Sequence, residues 1–253
     1  TLFIAPRIIS MDLRPFTFAL SMKNFLSVLR PFAAYLILGM GTFFMLTMII
    51  DYSSFRTDIH FLRFKQEYLP MSWWRTAFYV HVFTSIIALA AGLTQFSNTI
   101  LRNRKGLHRT IGKIYVFTIL FINFPSGMIL AVYANGLWPT KVAFILLDGL
   151  WFYFTLRAFV AIRRKKVSQH RQFMIRSFAL TFAAITLRSW KIVLSGLFHP
   201  DPLTLYMIDA WMGFVPNLLF AEWWIARSKH RSALKAKHVH QHKVAHHHQQ
   251  SGA

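Results

Sequence analysis

The side chains with chemistry to offer stand in or beside apolar runs. They are His81, Asp148, Arg188 and Asp209, and two adjacent pairs, His108-Arg109 and His170-Arg171. An ionisable group in such a run costs about 2.5–3.5 kcal/mol on insertion scales, so it normally faces a bundle interior or a cavity. At a helical rise of about 1.5 Å per residue, His81, Asp148, Asp209 and Arg188 all fall about 9–10 Å below the same membrane boundary. Opposite charges in one layer can neutralise one another. The expectation is a buried network of Asp148, Asp209 and Arg188, with His81 as its proton-exchanging member, lining a site for a lipid-soluble cofactor or substrate.

The two His-Arg pairs sit at matching depth near the opposite boundary and admit two readings. One is a bis-histidine haem b with Arg109 and Arg171 near its propionates, because neutral imidazole suits iron and guanidinium suits carboxylate. The other is basic residues meeting lipid phosphate. The apolar run 141–163 contains no His. The four-histidine, two-haem pattern of cytochrome b561-like bundles is therefore missing.

What must position these residues follows from composition. Apolar types make up 55% of the 253 residues, aromatics 17% with 26 Phe, charged residues only 15%, and mean hydropathy is +0.40. A soluble domain carries about a quarter charged residues. With no cysteine, disulfides, thiolate zinc sites, iron–sulfur clusters and c-type haem are excluded. No P-loop, dinucleotide fingerprint, His-Glu-x-x-His or nucleophile elbow occurs, so no complete catalytic set and no metal motif is present.

Six apolar segments, at 31–50, 75–96, 111–132, 141–163, 173–196 and 203–226, approach the length of about 20 residues that a spanning helix needs. The chain reads as an all-α polytopic membrane protein: a basic arm over 1–30, a six-helix transmembrane bundle over 31–226, and a His/Lys-rich tail over 227–253. The first segment is too long for a signal-peptide core and lacks a small-residue cleavage site, so it is expected to be retained. Charge fixes the orientation. Six spans divide the loops so that one side collects 22 Lys and Arg against Asp12 and Glu222, and the other seven against six acids. By the positive-inside rule both termini are then cytoplasmic. The formal charge of +21 thus needs no nucleic acid, and none is expected as a partner, because the cations are dispersed among loops. The tail holds seven of the twelve His and no apolar run; alone it is expected to lack regular structure, and partner-bound it would be ordered.

Helical periodicity adds polar stripes. His170, Met174, Ser177, Thr181 and Arg188 recur at about 3.6 residues, as do His81, Ser85, Ala88, Gly92 and Gln95, and a third face starts with His108, Gly112 and Tyr115. Small and hydroxyl residues in such stripes also serve close helix packing in lipid. Pro125 and Pro216 are candidate helix breaks.

From His81 to Lys191 the chain resembles the domain of unknown function 2306 family of bacterial multi-pass membrane proteins. The residues that carry the resemblance are Gly92 and Gln95, then His108-Arg109, Gly112 and Tyr115, then His170-Arg171, Met174, Arg176-Ser177, Ala179-Leu180-Thr181, Ala183 and Leu187-Arg188. It implies a membrane module, marks His81, His108, His170, Arg176 and Arg188 as parts of the pattern, and names no reaction. The leading expectation is an integral membrane protein binding haem or quinone within its bundle, in contact with lipid and with other subunits of an energy-converting complex. The alternatives are a non-catalytic accessory subunit and a transporter. A bacterial plasma membrane is the expected location, with the mitochondrial inner membrane as the other candidate.

Overall fold

The computed structural model describes residues 39 and 41–251, with side chains followed as far as Leu234. Residues 1–43 cluster as one unit, of which only 39 and 41–43 are described, and 44–253 as a second unit. The expected arm over 1–30 and the start of the first expected span lie outside the described residues.

Every long element is helical. Helix α1 covers Gly41–Tyr52, and after a 3-10 turn at His60–Phe64 come α2 (Ser72–Gln95), the short α3 (Asn98–Asn103), α4 (Lys105–Phe117) and α5 (Phe124–Val132). Helices α6 (Trp138–Arg163), α7 (Val167–Thr181), α8 (Ala183–Phe198), α9 (Pro202–Met212) and α10 (Val215–Ser251) complete the chain. Local chemistry sets several ends. Asp201 caps α9 by accepting from the amides of Leu203 (3.1 Å) and Thr204 (3.0 Å), with Pro202 at the first helical position, where its missing N–H costs nothing. His199 in the left-handed conformation (φ 46°) closes α8.

By length and apolarity four helical stretches can cross a membrane: Ser72–Gln95, Lys105–Val132, Trp138–Arg163 and Pro202–Leu234. The pair α7 and α8 makes a fifth if counted as one bent span. These overlie the second to sixth expected segments. Of the first, the described part is α1, whose 12 residues are too few to cross alone.

Three features depart from the sequence expectation. The segment 173–196 is not one straight helix: α7 and α8 meet at about 40° around Phe182. Neither Pro nor Gly is responsible. Thr181 and Thr186 return their hydroxyls to the carbonyls of Ser177 (3.1 Å) and Phe182 (3.3 Å), a bonding habit that bends helices. The span 105–132 stays continuous but passes through a π-helical segment at Thr118–Asn123 directly before Pro125, which supplies no N–H to the ladder. Lastly, the tail is helical to Ser251: from Asn217 to that point it contains no Gly or Pro and is rich in Ala, Lys and Gln, residues that favour helix. Pro216 does coincide with a break, between α9 and α10 at Gly213-Phe214.

The core is built on close crossings. At Gly92 a β-carbon would stand 2.6 Å from the Phe178 ring and 2.9 Å from the Tyr115 ring, so α2, α4 and α7 meet there because glycine presents nothing. Gly92→Ala is expected to cost about 1–3 kcal/mol by overpacking, read as a lower melting temperature in detergent; an unchanged value would show that the crossing relaxes freely. The small residues Ala143, Ala158 and Ala183 are fully enclosed around Tyr115, Trp151, Met174 and Leu180. Arg176 of α7 forks onto Glu222 of α10, Nε to Oε1 at 2.5 Å and Nη2 to Oε2 at 2.8 Å, a bidentate tie with geometry only guanidinium provides.

Outside the spans, Lys65 is buried to 1% exposure. It donates to the Tyr133 carbonyl and lies over the rings of Tyr68 (4.8 Å) and Phe61 (5.6 Å). Burial, with a smaller push from Lys141, lowers its ammonium to about 8 from 10.5. Between those two pH values the unfolded chain binds more protons than the folded one, so stability rises with pH across that window. The measurement is the melting temperature from pH 8 to 10; Lys65→Met should flatten the rise.

Candidate functional site

Two polar centres lie inside the bundle, and both are assembled from helices distant in sequence.

The first is a hydroxyl cluster between α4, α6 and α7. The Tyr115 hydroxyl lies 2.8 Å from both Ser177 Oγ and Thr181 Oγ1; Trp151 Nε1 donates to Thr181 Oγ1 at 2.9 Å; Thr155 Oγ1 meets Ser177 Oγ at 2.7 Å and donates to the Trp151 carbonyl at 2.7 Å. Tyr115, Thr155 and Ser177 have no exposed surface. Each of these side-chain polar atoms has a partner, so the cluster is closed and works as interhelical glue. The stripe through Ser177 and Thr181 is therefore a packing face. It also ends where α7 ends. Arg188 belongs to α8, beyond the bend, and does not continue that face.

The second centre is not closed by its own hydrogen bonds. His81 on α2 and Asp148 on α6 converge on Gly127 of α5: a β-carbon there would lie 2.8 Å from Asp148 Oδ1, 2.9 Å from His81 Cε1 and 3.1 Å from His81 Nδ1. The π-segment contributes Asn123, with no exposed surface, whose Oδ1 accepts from the Thr84 hydroxyl at 2.5 Å. Side chains reach the backbone carbonyls just before Pro125. Ser126 Oγ donates to Ile122 O (2.6 Å) and Asn123 O (3.2 Å), and His81 Nδ1 lies 3.3 Å from Asn123 O. A carbonyl can only accept, so that contact places the proton on Nδ1 and leaves Nε2 as the ring's acceptor. Two polar atoms in this centre are buried without any partner, Asp148 Oδ2 and Asn123 Nδ2. One is an acceptor and the other a donor. Buried polar atoms in a native bundle are paired with rare exceptions, and π-segments gather at functional sites.

Arg188 stands in electrostatic reach of both His81 and Tyr52. Its Nη1 donates to Ala184 O at 2.5 Å and its Nε faces Met48 Sδ of α1 at 3.4 Å. Among the described residues it forms no ion pair with Asp148 or Asp209. The expected ion network is thus not formed, because equal depth along the helices does not make these side chains neighbours. Asp209, 1% exposed, lies on α9 with Oδ1 unpartnered, and the cation nearest in influence is Lys191 of α8.

The two His-Arg pairs divide. His108 and His170 lie in electrostatic reach of each other; His170 Nδ1 stands 2.9 Å from the Ala158 carbonyl, and His108 Nδ1 is buried without a partner. Arg109 and Arg171 are exposed. Among the described residues no three His, Asp or Glu converge as a metal site. Sequence reasoning missed Gly127, Asn123, Ser126 and Thr84. Pro125 was the available signal, since a proline inside a lipid-facing span requires nearby side chains to satisfy freed carbonyls.

No curated protein and no solved structure matches the chain. Residues 78–225, which contain every residue of both centres, match the family described as a predicted membrane protein, DUF2306. An apolar, all-helical chain with several spans of crossing length, matched over more than half its length, belongs to the DUF2306 family of integral membrane proteins.

Proposed function

We propose that the bundle holds a small lipid-soluble molecule whose polar head sits between His81, Asp148 and Asn123, and that a quinone is the molecule of best fit. One observation carries this reading: an acceptor, Asp148 Oδ2, and a donor, Asn123 Nδ2, are both buried and unpartnered beside His81 and the bare glycine at 127. A quinone carbonyl would take the Asn123 donor. A quinol hydroxyl would give its proton to Asp148 or to the His81 acceptor nitrogen, the pairing of groups that proton exchange at a buried site needs. Arg188, without a carboxylate partner among the described residues, adds a cation that favours electron-rich oxygen atoms in the same region. Both termini are assigned to the cytoplasmic side by the charge distribution.

The test is organic extraction of detergent-purified protein, with quinone quantified by absorbance before and after borohydride reduction. Wild type is expected to carry quinone in near-stoichiometric amount, and His81→Ala, Asp148→Asn and Arg188→Ala to lose it while still inserting. Absence of quinone from wild type, or unchanged retention in the variants, would overturn the reading in favour of an accessory subunit of a larger complex.

A second reading, haem b between His108 and His170, is favoured by one feature. The Ala158 carbonyl holds His170 Nδ1 and so leaves Nε2 free, the arrangement that orients a ligating imidazole. A Soret band in the oxidised spectrum, lost in His108→Ala and His170→Ala, is its signature.

A further inference from the structure

At the turn between α6 and α7 the surface opens into a groove of about 300 Å³, lined by Arg157, Val160, Arg164, Lys166, Gln169 and Phe173. The chain reverses here through Lys165 in the left-handed conformation (φ 58°), which brings the end of one span against the start of the next. Three of the lining residues are cations. Among the described residues none of them forms an ion pair, and Glu222 is paired with Arg176 of α7. Among the described residues the groove is therefore a concentration of positive charge with no anion paired to it.

Its two ends differ. Arg164 and Lys166 lie at the helix ends, where the chain leaves the apolar span. Arg157 lies on α6 seven residues before Arg164, about 10 Å deeper at the helical rise. There its guanidinium rests on the Phe173 ring at 5.1 Å and on the Tyr153 ring at 5.6 Å, with Nη1 donating to the Tyr153 hydroxyl at 3.0 Å. Phe173 is held on its own account by Arg176, 5.5 Å from the ring. A ligand filling this groove meets cations at the helix ends and an aromatic and aliphatic wall running toward the bilayer.

We infer that this groove is a binding site for the phosphodiester headgroup of an anionic phospholipid, with the phosphate between Arg164 and Lys166 and the glycerol and upper acyl chain along Val160 and Phe173. A free phosphate would be answered by the helix-end cations alone and would leave the apolar wall bare. Basic pockets between helices at the headgroup level recognise such lipids, and guanidinium offers phosphate a two-point contact.

The test uses the full chain purified in a neutral detergent, with melting followed as phosphatidylglycerol or phosphatidylcholine is added. Phosphatidylglycerol is expected to raise the wild-type melting temperature by several degrees more than phosphatidylcholine. In the double variant Arg164→Gln, Lys166→Gln at least half of that difference should disappear. The charge-matched double variant Arg102→Gln, Arg104→Gln, exposed and remote from the groove in sequence, should keep it. Equal losses in both double variants, or no loss in the first, would overturn the site. Millimolar inorganic phosphate reproducing the whole shift would overturn the lipid as its occupant. Native mass spectrometry of unaltered protein supplies an independent reading: at least one phosphatidylglycerol retained in preference to phosphatidylcholine is expected, and equal retention of the two lipids would count against the proposal.

Discussion

Gly127→Ala is expected to empty the His81–Asp148 centre while leaving the bundle folded. The added β-carbon would fall 2.8 Å from Asp148 Oδ1 and 2.9 Å from His81 Cε1, closer than carbon tolerates, so both side chains must turn away. They can do so, since each contact is to the end of a side chain and not to backbone, and alanine is the better helix former. The loss therefore falls on the site. Leaving even one buried donor or acceptor of a bound head unpaired costs about 1–3 kcal/mol, and a factor of ten in affinity is about 1.4 kcal/mol. Retained quinone should drop tenfold or more with the melting temperature within a few degrees of wild type. Gly149→Ala is the matching comparison: it lies next to Asp148 on α6, yet its β-carbon would meet nothing within 4 Å. Retention there should equal wild type. Equal loss in both variants would mean that helix glycines matter for α6 or α5 in general and that the convergence on Gly127 has no special role.

Tyr115→Ala is expected to produce the largest loss of stability in the molecule, about 3–5 kcal/mol, the range for deleting a large enclosed side chain. Tyr115 has no exposed surface and its ring lies under Gly92 while its hydroxyl joins Ser177 and Thr181. Two separate contributions, ring and hydroxyl, can be told apart. Tyr115→Phe keeps the ring and removes only the bridging hydroxyl; Ser177 retains Thr155, and Thr181 retains Trp151. Interhelical hydrogen bonds in membrane proteins average about 0.6 kcal/mol each, so Tyr115→Phe should cost about 1 kcal/mol. Reversible unfolding in mixed micelles measures both. A Phe variant as damaging as the Ala variant would show that the hydroxyl network, and not ring packing, holds α4, α6 and α7 together.

The reading of residues along the chain was sound where one dimension suffices. Ser177 and Thr181 do share an inward face with Met174, because all three ride on one unbroken helix. Arg188, eleven residues beyond Ser177, does not, because hydroxyl back-bonding at Thr181 bends the chain between them, and extrapolating the helical period assumes a straight axis. His81 and Asp148, expected at one depth, both come up against Gly127. Asp209 and Arg188, expected at the same depth, form no ion pair with each other, and Arg188 forms none with Asp148, among the described residues. Depth follows from counting residues. The direction in which each helix turns its face, and which helix stands next to it, does not.

What the sequence determined by itself is the membrane class, the all-helical character and the polar residues placed in the apolar runs. Apolar runs of bilayer length and sparse charge are local properties, and the bilayer as solvent leaves helix as the form such runs must take. What only the tertiary structure decided is which of those polar residues form a site. Gly127 has no side chain to draw attention in a sequence, and the glue of Tyr115, Trp151, Thr155, Ser177 and Thr181 differs from the centre of His81, Asn123 and Asp148 in one respect: every buried polar atom of the first has found a partner, and two in the second have not. That distinction depends on distances between helices far apart in the chain, set by how closely small residues such as Gly92, Ala143 and Ala158 let their backbones approach.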